Sequence, residues 1–152
     1  MFPDGTSSGG GVSAPARKRV VIVDDSAGFR GLLQLVLGTL PGVDVVAEAA
    51  DGEEALAQVR RTNPDLVLMD FRMPNLNGLQ ATKQLRSEGS SMRIVLLTAH
   101  GDAIPAWLAA EAGADEVVDK SKLGERLRQE ADHGGFLAAE PGTEEPRTGG
   151  DG

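Results

Sequence analysis

The chain has 152 residues, a formal net charge of −8 at pH 7 and no cysteine, which excludes disulfide bonds and thiolate metal sites. Sequence-independent binding of DNA or RNA needs lysine and arginine to neutralise phosphates, so the negative net charge argues against direct nucleic-acid binding. No apolar run suits a signal peptide or a membrane span, so we expect a cytoplasmic protein without membrane contact.

The two ends of the chain differ from its centre in composition. Residues 1–16 are mostly Gly, Ser and Pro, and residues 134–152 are rich in Gly and Glu. Such segments bury too little apolar surface to offset the entropy that ordering would cost, which predicts disordered tails. The folded domain is therefore expected over residues 17–133.

Short apolar runs alternate with segments of helical period through this domain. The runs are rich in Val, Ile and Leu and cover residues 20–23, 43–47, 66–69, 94–97 and, more weakly, 117–118. Continuous runs without polar alternation are typical of strands buried on both faces of a parallel sheet. Five strands alternating with five helices predict an α/β fold with right-handed crossovers.

The helical segments carry recognisable ends. Ser26 is a suitable N-cap for the first helix, whose predicted apolar stripe includes Leu32, Leu33 and Leu37. The fourth helix is predicted over residues 103–112, with Asp102 as its cap and Pro105 in its first turn. Trp107 on that helix is predicted to be partly buried packing, with contact to a partner as the alternative.

Polar residues follow the apolar runs at the points where the strands end. In an open parallel sheet, ligands bind beyond the carboxyl ends of the strands. Four distant pieces of sequence should therefore bring three carboxylates, a hydroxyl and an ammonium to one rim of the sheet. These groups belong to Asp24, Asp25, Asp70, Thr98 and Lys120.

This set of residues suits metal-assisted phosphoryl transfer. Three close carboxylates repel one another, and Mg²⁺ (or Mn²⁺), which prefers oxygen ligands, resolves the repulsion. Asp25 and Asp70 could bind the ion directly, with Asp24 binding directly or through water. Asp70 is then a nucleophile beside a Lewis acid, while Lys120 and the Thr98 hydroxyl neutralise the phosphoryl oxygens.

The motifs at these strand ends are V-I-V-D-D-S at 21–26, L-V-L-M-D-F-R-M-P at 66–74, L-L-T-A at 96–99 and A-G-A-D at 112–115, followed by Lys120. With them, the chain from about residue 18 to residue 127 resembles the CheY-like receiver domains of bacterial two-component response regulators. The resemblance implies a flavodoxin-like (CheY-like) five-stranded parallel sheet in the order 2-1-3-4-5, with helices on both faces. It also implies phosphorylation of Asp70 and a metal ligand at the backbone carbonyl of Arg72.

Two positions depart from the usual pattern of the family. Val117 stands where a switch Tyr or Phe is common, and Ser121 stands where Pro often follows the lysine. The second departure resembles receivers of the NarL type, which normally carry a helix-turn-helix after a linker. No such module is expected after Asp132.

Three functions remain open from the sequence. The first is a single-domain response regulator that is phosphorylated by a histidine kinase or a histidine phosphotransfer protein and acts as an interaction switch or relay. The second is a receiver fragment of a DNA-binding response regulator that lacks its output domain. The third is a dehalogenase-superfamily phosphatase, whose Asp-x-Asp pattern fails here because Ser26 stands two residues after Asp24.

The resemblance also indicates how such a switch would meet its targets. The expected surface is the face formed by the fourth helix, fifth strand and fifth helix, and a phosphorylation-dependent homodimer is a further expected partner. Because Val117 has no large rotamer to swing, we expect the signal to travel through residues 99–102 into the fourth helix.

Overall fold

The computed structural model describes residues 17–99 and 104–133, in which strands and helices alternate. The strands are β1 (Lys18–Val23), β2 (Val43–Ala49), β3 (Leu66–Asp70), β4 (Arg93–Thr98) and β5 (Glu116–Asp119). The helices are α1 (Ala27–Gly38), α2 (Gly52–Thr62), α3 (Gly78–Ser87), α4 (Ala106–Ala112) and α5 (Lys120–His133).

The five strands form one parallel sheet in the order β2-β1-β3-β4-β5. This confirms the predicted α/β class and the 2-1-3-4-5 strand order. Each predicted apolar run lies within a strand, and each strand extends one or more residues beyond its run. The tails predicted over residues 1–16 and 134–152 lie outside the described residues, so the domain boundaries remain a prediction.

Two separate apolar clusters cover the two faces of the sheet. One cluster joins Val21 and Val23 of β1 to side chains of α2, α3 and α4. The other joins Val20 and Ile22 of the same strand to side chains of α1 and α5. Because successive strand residues point to opposite faces, every run that is apolar throughout contributes to both clusters.

The ends of α1 and α2 follow from local sequence. The Ser26 side chain accepts a hydrogen bond from Phe29 N, which confirms Ser26 as the N-cap of α1. Asn63 ends α2 in a left-handed conformation, with φ of 48°. The predicted apolar stripe of α1 is only partly right, because Leu33 and Leu37 are buried whereas Leu32 is 55% exposed.

The structure corrects two expectations about α4. The helix begins at Ala106, and Pro105 lies at the N-cap position without a side-chain cap, since its ψ of 139° is extended and not helical. Asp102, the predicted cap, lies outside the described residues. Trp107 is 67% exposed, since the small residues Ala109 and Ala112 form the buried face of the helix.

Candidate functional site

The carboxyl ends of four strands meet at one rim of the sheet. Strand register pairs Val23 of β1 with Met69 of β3, and Asp70 of β3 with Leu97 of β4. Thr98 at the end of β4 pairs with Asp119 of β5, directly before Lys120. The structure therefore brings the predicted acidic, hydroxyl and lysine residues to the same edge.

Three carboxylates form the centre of this rim. Oxygens of Asp24, Asp25 and Asp70 all lie within 4.8 Å of one another. Asp24 is fully buried and Asp70 is 4% exposed, whereas Asp25 is exposed to solvent. Two of the three carboxylates are therefore buried, and the third faces solvent.

Lys120 supplies the ammonium that faces this cluster. Its Nζ atom lies 2.6 Å from Oδ2 of Asp24 and 3.3 Å from Oδ2 of Asp70. Apart from this ion pair, Oδ2 of Asp24 is buried without a hydrogen-bonding partner in the described part of the chain. Three carboxylates against one ammonium leave negative charge uncompensated, which is costly when buried. The residues therefore fit a hard divalent cation such as Mg²⁺.

Burial and charge change the ionisation of Asp70 and Lys120. The pKa of Asp70 is raised to about 6: burial contributes most to the rise, the nearby charge of Asp24 adds to it, and Lys120 and the Arg72 amide oppose it. Burial lowers the pKa of Lys120, but the hydrogen bond to Asp24 and the charges of both carboxylates outweigh it, so the pKa is raised. At pH 7 the site therefore holds an ammonium beside a carboxylate that takes up a proton only slightly below neutrality.

Backbone contacts fix Asp24 from two sides. Its N–H donates to Ala49 O at 3.0 Å, and its Oδ1 accepts from Ser26 N at 2.8 Å.

Arg30 donates through Nη1 to the Asp24 carbonyl at 2.5 Å and through Nε to Glu48 at 2.9 Å. The sequence analysis missed Arg30, although its place one helical turn after Ser26 directs it back toward the strand end.

The segment after Asp70 folds closely against the site. Arg72 N donates to Oδ1 of Asp70 at 3.4 Å, and Gly78 N donates to the Phe71 carbonyl at 2.8 Å. A Cβ atom on Gly78 would lie 2.6 Å from Asp70 O, so the start of α3 requires glycine. The predicted role of the Arg72 carbonyl as a metal ligand stays a prediction.

Thr98 and Val117 lie on the neighbouring strands β4 and β5. Thr98 is 5% exposed at the end of β4, and most of the connection that follows it, residues 100–103, lies outside the described residues. Val117 is half-buried and packs against the cluster on the α2, α3 and α4 side. A short turn holds the start of α5, because Ser121 donates through N and Oγ to Oδ1 of Asp119.

Phe29 is a further residue that the sequence analysis did not identify. The centroid of its ring lies 4.4 Å from Nζ of Lys120. The contact joins the first turn of α1 to the first residue of α5, two elements far apart in sequence.

Comparison with known proteins agrees with this architecture. The family model for the response regulator receiver domain matches residues 20–132. The chain is 46% identical over 99 residues to protein-glutamate methylesterase/protein-glutamine glutaminase 4 of Geobacter metallireducens, covering 63% of this chain and 28% of the relative. It is 40% identical over 104 residues to the DNA-binding response regulator MtrA of Mycobacterium tuberculosis, covering 68% of this chain and 44% of the relative. The chain thus spans less than half the length of these curated relatives.

A solved structure shows the same fold. The signal receiver domain of the putative response regulator NarL from Mycobacterium tuberculosis is 31% identical and superimposes with a TM-score of 0.67. The match covers 78% of this chain and 98% of that structure. No helix among the residues described here is both long and apolar enough to cross a membrane.

Proposed function

The chain belongs to the response regulator receiver domain family, and from that premise we propose that it accepts a phosphoryl group on Asp70. The donor is the phosphohistidine of a histidine kinase or of a histidine phosphotransfer protein. The observation that carries the proposal is the cluster of three carboxylates within 4.8 Å, with Lys120 bonded to two of them.

Asp24, Asp25 and Asp70, with the backbone carbonyl of Arg72, would hold Mg²⁺ or Mn²⁺ at this rim. When bound, the ion supplies Lewis-acid stabilisation of the charge on the transferred phosphoryl group. The donor set supports the choice of metal, since hard oxygens suit Mg²⁺ and Mn²⁺. The exposed side of the cluster, at Asp25, leaves room for the water ligands that Mg²⁺ retains.

Residues of this chain perform the phosphoryl transfer. A carboxylate oxygen of Asp70 forms a bond to phosphorus while the bond between phosphorus and the donor imidazole nitrogen breaks. The imidazole keeps the bonding electron pair. Asp70 is mostly ionised at pH 7, because its pKa is about 6, so it can act as the nucleophile. The Lys120 ammonium and the Thr98 hydroxyl then each bind a phosphoryl oxygen, where they stabilise developing charge.

The phosphorylated domain then works in the cytoplasm as an interaction switch or relay. The proposed target surface is the face of α4, β5 and α5, and the exposed Trp107 on α4 supports a protein contact there. A phosphorylation-dependent homodimer would use the same kind of surface. The folded unit is proposed to span residues 17–133, between tails at 1–16 and 134–152.

A second candidate is that the chain is the receiver fragment of a larger regulator, such as one with a DNA-binding output domain. Its favouring observation is that the chain spans 28% of one curated relative and 44% of another. The phosphoryl chemistry of the rim is the same in both cases, so only the output differs.

Labelling tests the proposal directly. Incubation with acetyl phosphate and Mg²⁺ should add one phosphoryl group by intact-mass spectrometry, and Asp70→Asn should abolish the addition. Asp44→Asn, which removes an exposed carboxylate from β2, is the matched control and should be labelled like the wild type. Undiminished labelling of Asp70→Asn would refute the proposal, and a phosphopeptide mapped to Asp24 would indicate phosphatase-type chemistry instead.

A further inference from the structure

The Lys120 ammonium has an aromatic neighbour in addition to its two carboxylate partners. Its Nζ atom lies 4.4 Å from the centroid of the Phe29 ring. A cation over the face of an aromatic ring is attracted by the ring quadrupole, most strongly where water is partly excluded. The Lys120 side chain is 20% exposed, so the contact lies in such an environment.

This contact closes a ring of interactions around the acidic cluster. Oδ1 of Asp24 accepts a hydrogen bond from Ser26 N at 2.8 Å, and Ser26 Oγ accepts one from Phe29 N at 3.2 Å. The Phe29 ring then contacts Lys120, whose Nζ returns to Oδ2 of Asp24 at 2.6 Å. The backbone around Asp24 therefore fixes the ring that faces the lysine.

The chemistry of an aromatic ring suits this place. Lysine carries a flexible four-carbon stem, and holding its ammonium in one position costs rotamer entropy. A third carboxylate placed there would bind the ammonium in addition to Asp24 and Asp70 and would compete with the phosphoryl oxygens for it. A ring attracts the ammonium without supplying a full negative charge, so the cation stays near the rim and remains available to an incoming anion.

We propose that Phe29 is a positioning residue that holds the Lys120 ammonium where the phosphoryl group on Asp70 will form. The inference rests on the proposed function, because it concerns the rate of that phosphoryl transfer. Phe29 also packs against the cluster on the α1 and α5 side, so the test must separate positioning from packing.

The experiment uses the full chain with acetyl phosphate at saturating Mg²⁺, and measures the rate of phosphoryl addition by intact mass. Phe29→Leu keeps apolar bulk but removes the π face, and should slow labelling by about five-fold, as expected for the loss of one cation–π contact. Phe29→Tyr and Phe29→Trp retain the π face and should restore the wild-type rate. Val36→Ala removes packing from the same helix and the same cluster, and should lower thermal stability without slowing labelling.

A spectroscopic signal gives a second measurement. The ring should shift the Lys120 ε-methylene protons upfield in the wild type, and Phe29→Leu should remove that shift. Equal labelling rates for the wild type and Phe29→Leu would overturn the inference, as would equal slowing by Val36→Ala. Absence of any labelling in the wild type would instead overturn the proposed function, and the upfield shift would still report whether the contact forms.

Discussion

Asp70→Asn is expected to stabilise the metal-free protein at neutral pH. Asp70 is buried beside a second buried carboxylate, Asp24, and asparagine has almost the same shape without the charge. The substitution removes the nucleophile of the proposed reaction and also removes one buried negative charge. A gain in stability would therefore show that repulsion between the carboxylates destabilises the metal-free site.

The size of the gain follows from the pKa. Asp70 has a pKa of about 6 in the folded protein, against an ordinary value of 3.8. The two pKa values differ by about two, and a difference of one corresponds to about 1.4 kcal/mol. The ionised carboxylate therefore lowers the free energy of unfolding by roughly 3 kcal/mol. Because the pKa of Asp70 is raised on folding, its ionisation destabilises the folded protein. This penalty is absent below about pH 4, grows as the pH rises, and is complete above about pH 6. Asparagine does not reproduce every hydrogen bond of the acid, so the expected gain at pH 7.5 is about 1–3 kcal/mol.

Urea unfolding in EDTA, followed by circular dichroism, measures this difference. The gain from Asp70→Asn should be close to zero near pH 4 and fully present at pH 7.5. Adding Mg²⁺ should stabilise the wild type more than the variant, since a ligand that binds only the native state raises stability. The exposed control, Asp44→Asn, should change the free energy of unfolding by less than about 0.5 kcal/mol at either pH. A variant less stable than the wild type at pH 7.5, or equally stabilised at both pH values, would refute the reasoning.

Three further predictions concern the metal, the start of α3 and the signal. Asp25→Ala should weaken Mg²⁺ binding by at least about ten-fold in calorimetric titration, and tighter one-site binding of Zn²⁺ to the wild type would contradict a hard-oxygen site. Gly78→Ala should destabilise the protein by about 1–3 kcal/mol in urea unfolding, because its Cβ would meet a carbonyl oxygen at 2.6 Å. The matched control for Gly78→Ala is Gly31→Ala, which has open space around it and should be stabilising by about 0.5–1 kcal/mol. Beryllofluoride with Mg²⁺ should change Trp107 fluorescence, and Thr98→Ala should suppress the change. A silent Trp107 with strong NMR shifts in α5 would show that the signal leaves by another route.

The sequence predicts the sheet and the main site residues for a simple physical reason. Strands that are apolar throughout belong to a parallel sheet covered on both faces, and the residues that follow them must meet at one rim. Asp24, Asp70 and Lys120 therefore come together in the structure as predicted. Their place at one rim follows from the parallel strands, but strand order alone does not give the contact between Lys120 and Asp24, because β3 and β4 lie between the strands that these residues follow.

The contacts that the sequence does not predict depend on how separate elements pack together. Phe29 and Lys120 begin different helices, and only the packing of α1 and α5 on the same face of the sheet brings them together. Arg30 likewise reaches Glu48 on a neighbouring strand. The exposure of Trp107 has a similar origin, since local periodicity does not reveal that α4 packs through alanines.

The division of the interior into two clusters also has an evolutionary consequence. Phe29 belongs to the α1 and α5 half, whereas Val117 and α4 belong to the other half. Among the described residues the two clusters lie on opposite faces of the sheet, so a helix side chain in one cluster can change without direct repacking of the helices in the other. Substitutions that adjust the handling of Lys120 and substitutions that redesign the α4 surface therefore fall in separate parts of the chain. A lineage could acquire new targets through α4 while inheriting the rim chemistry unchanged.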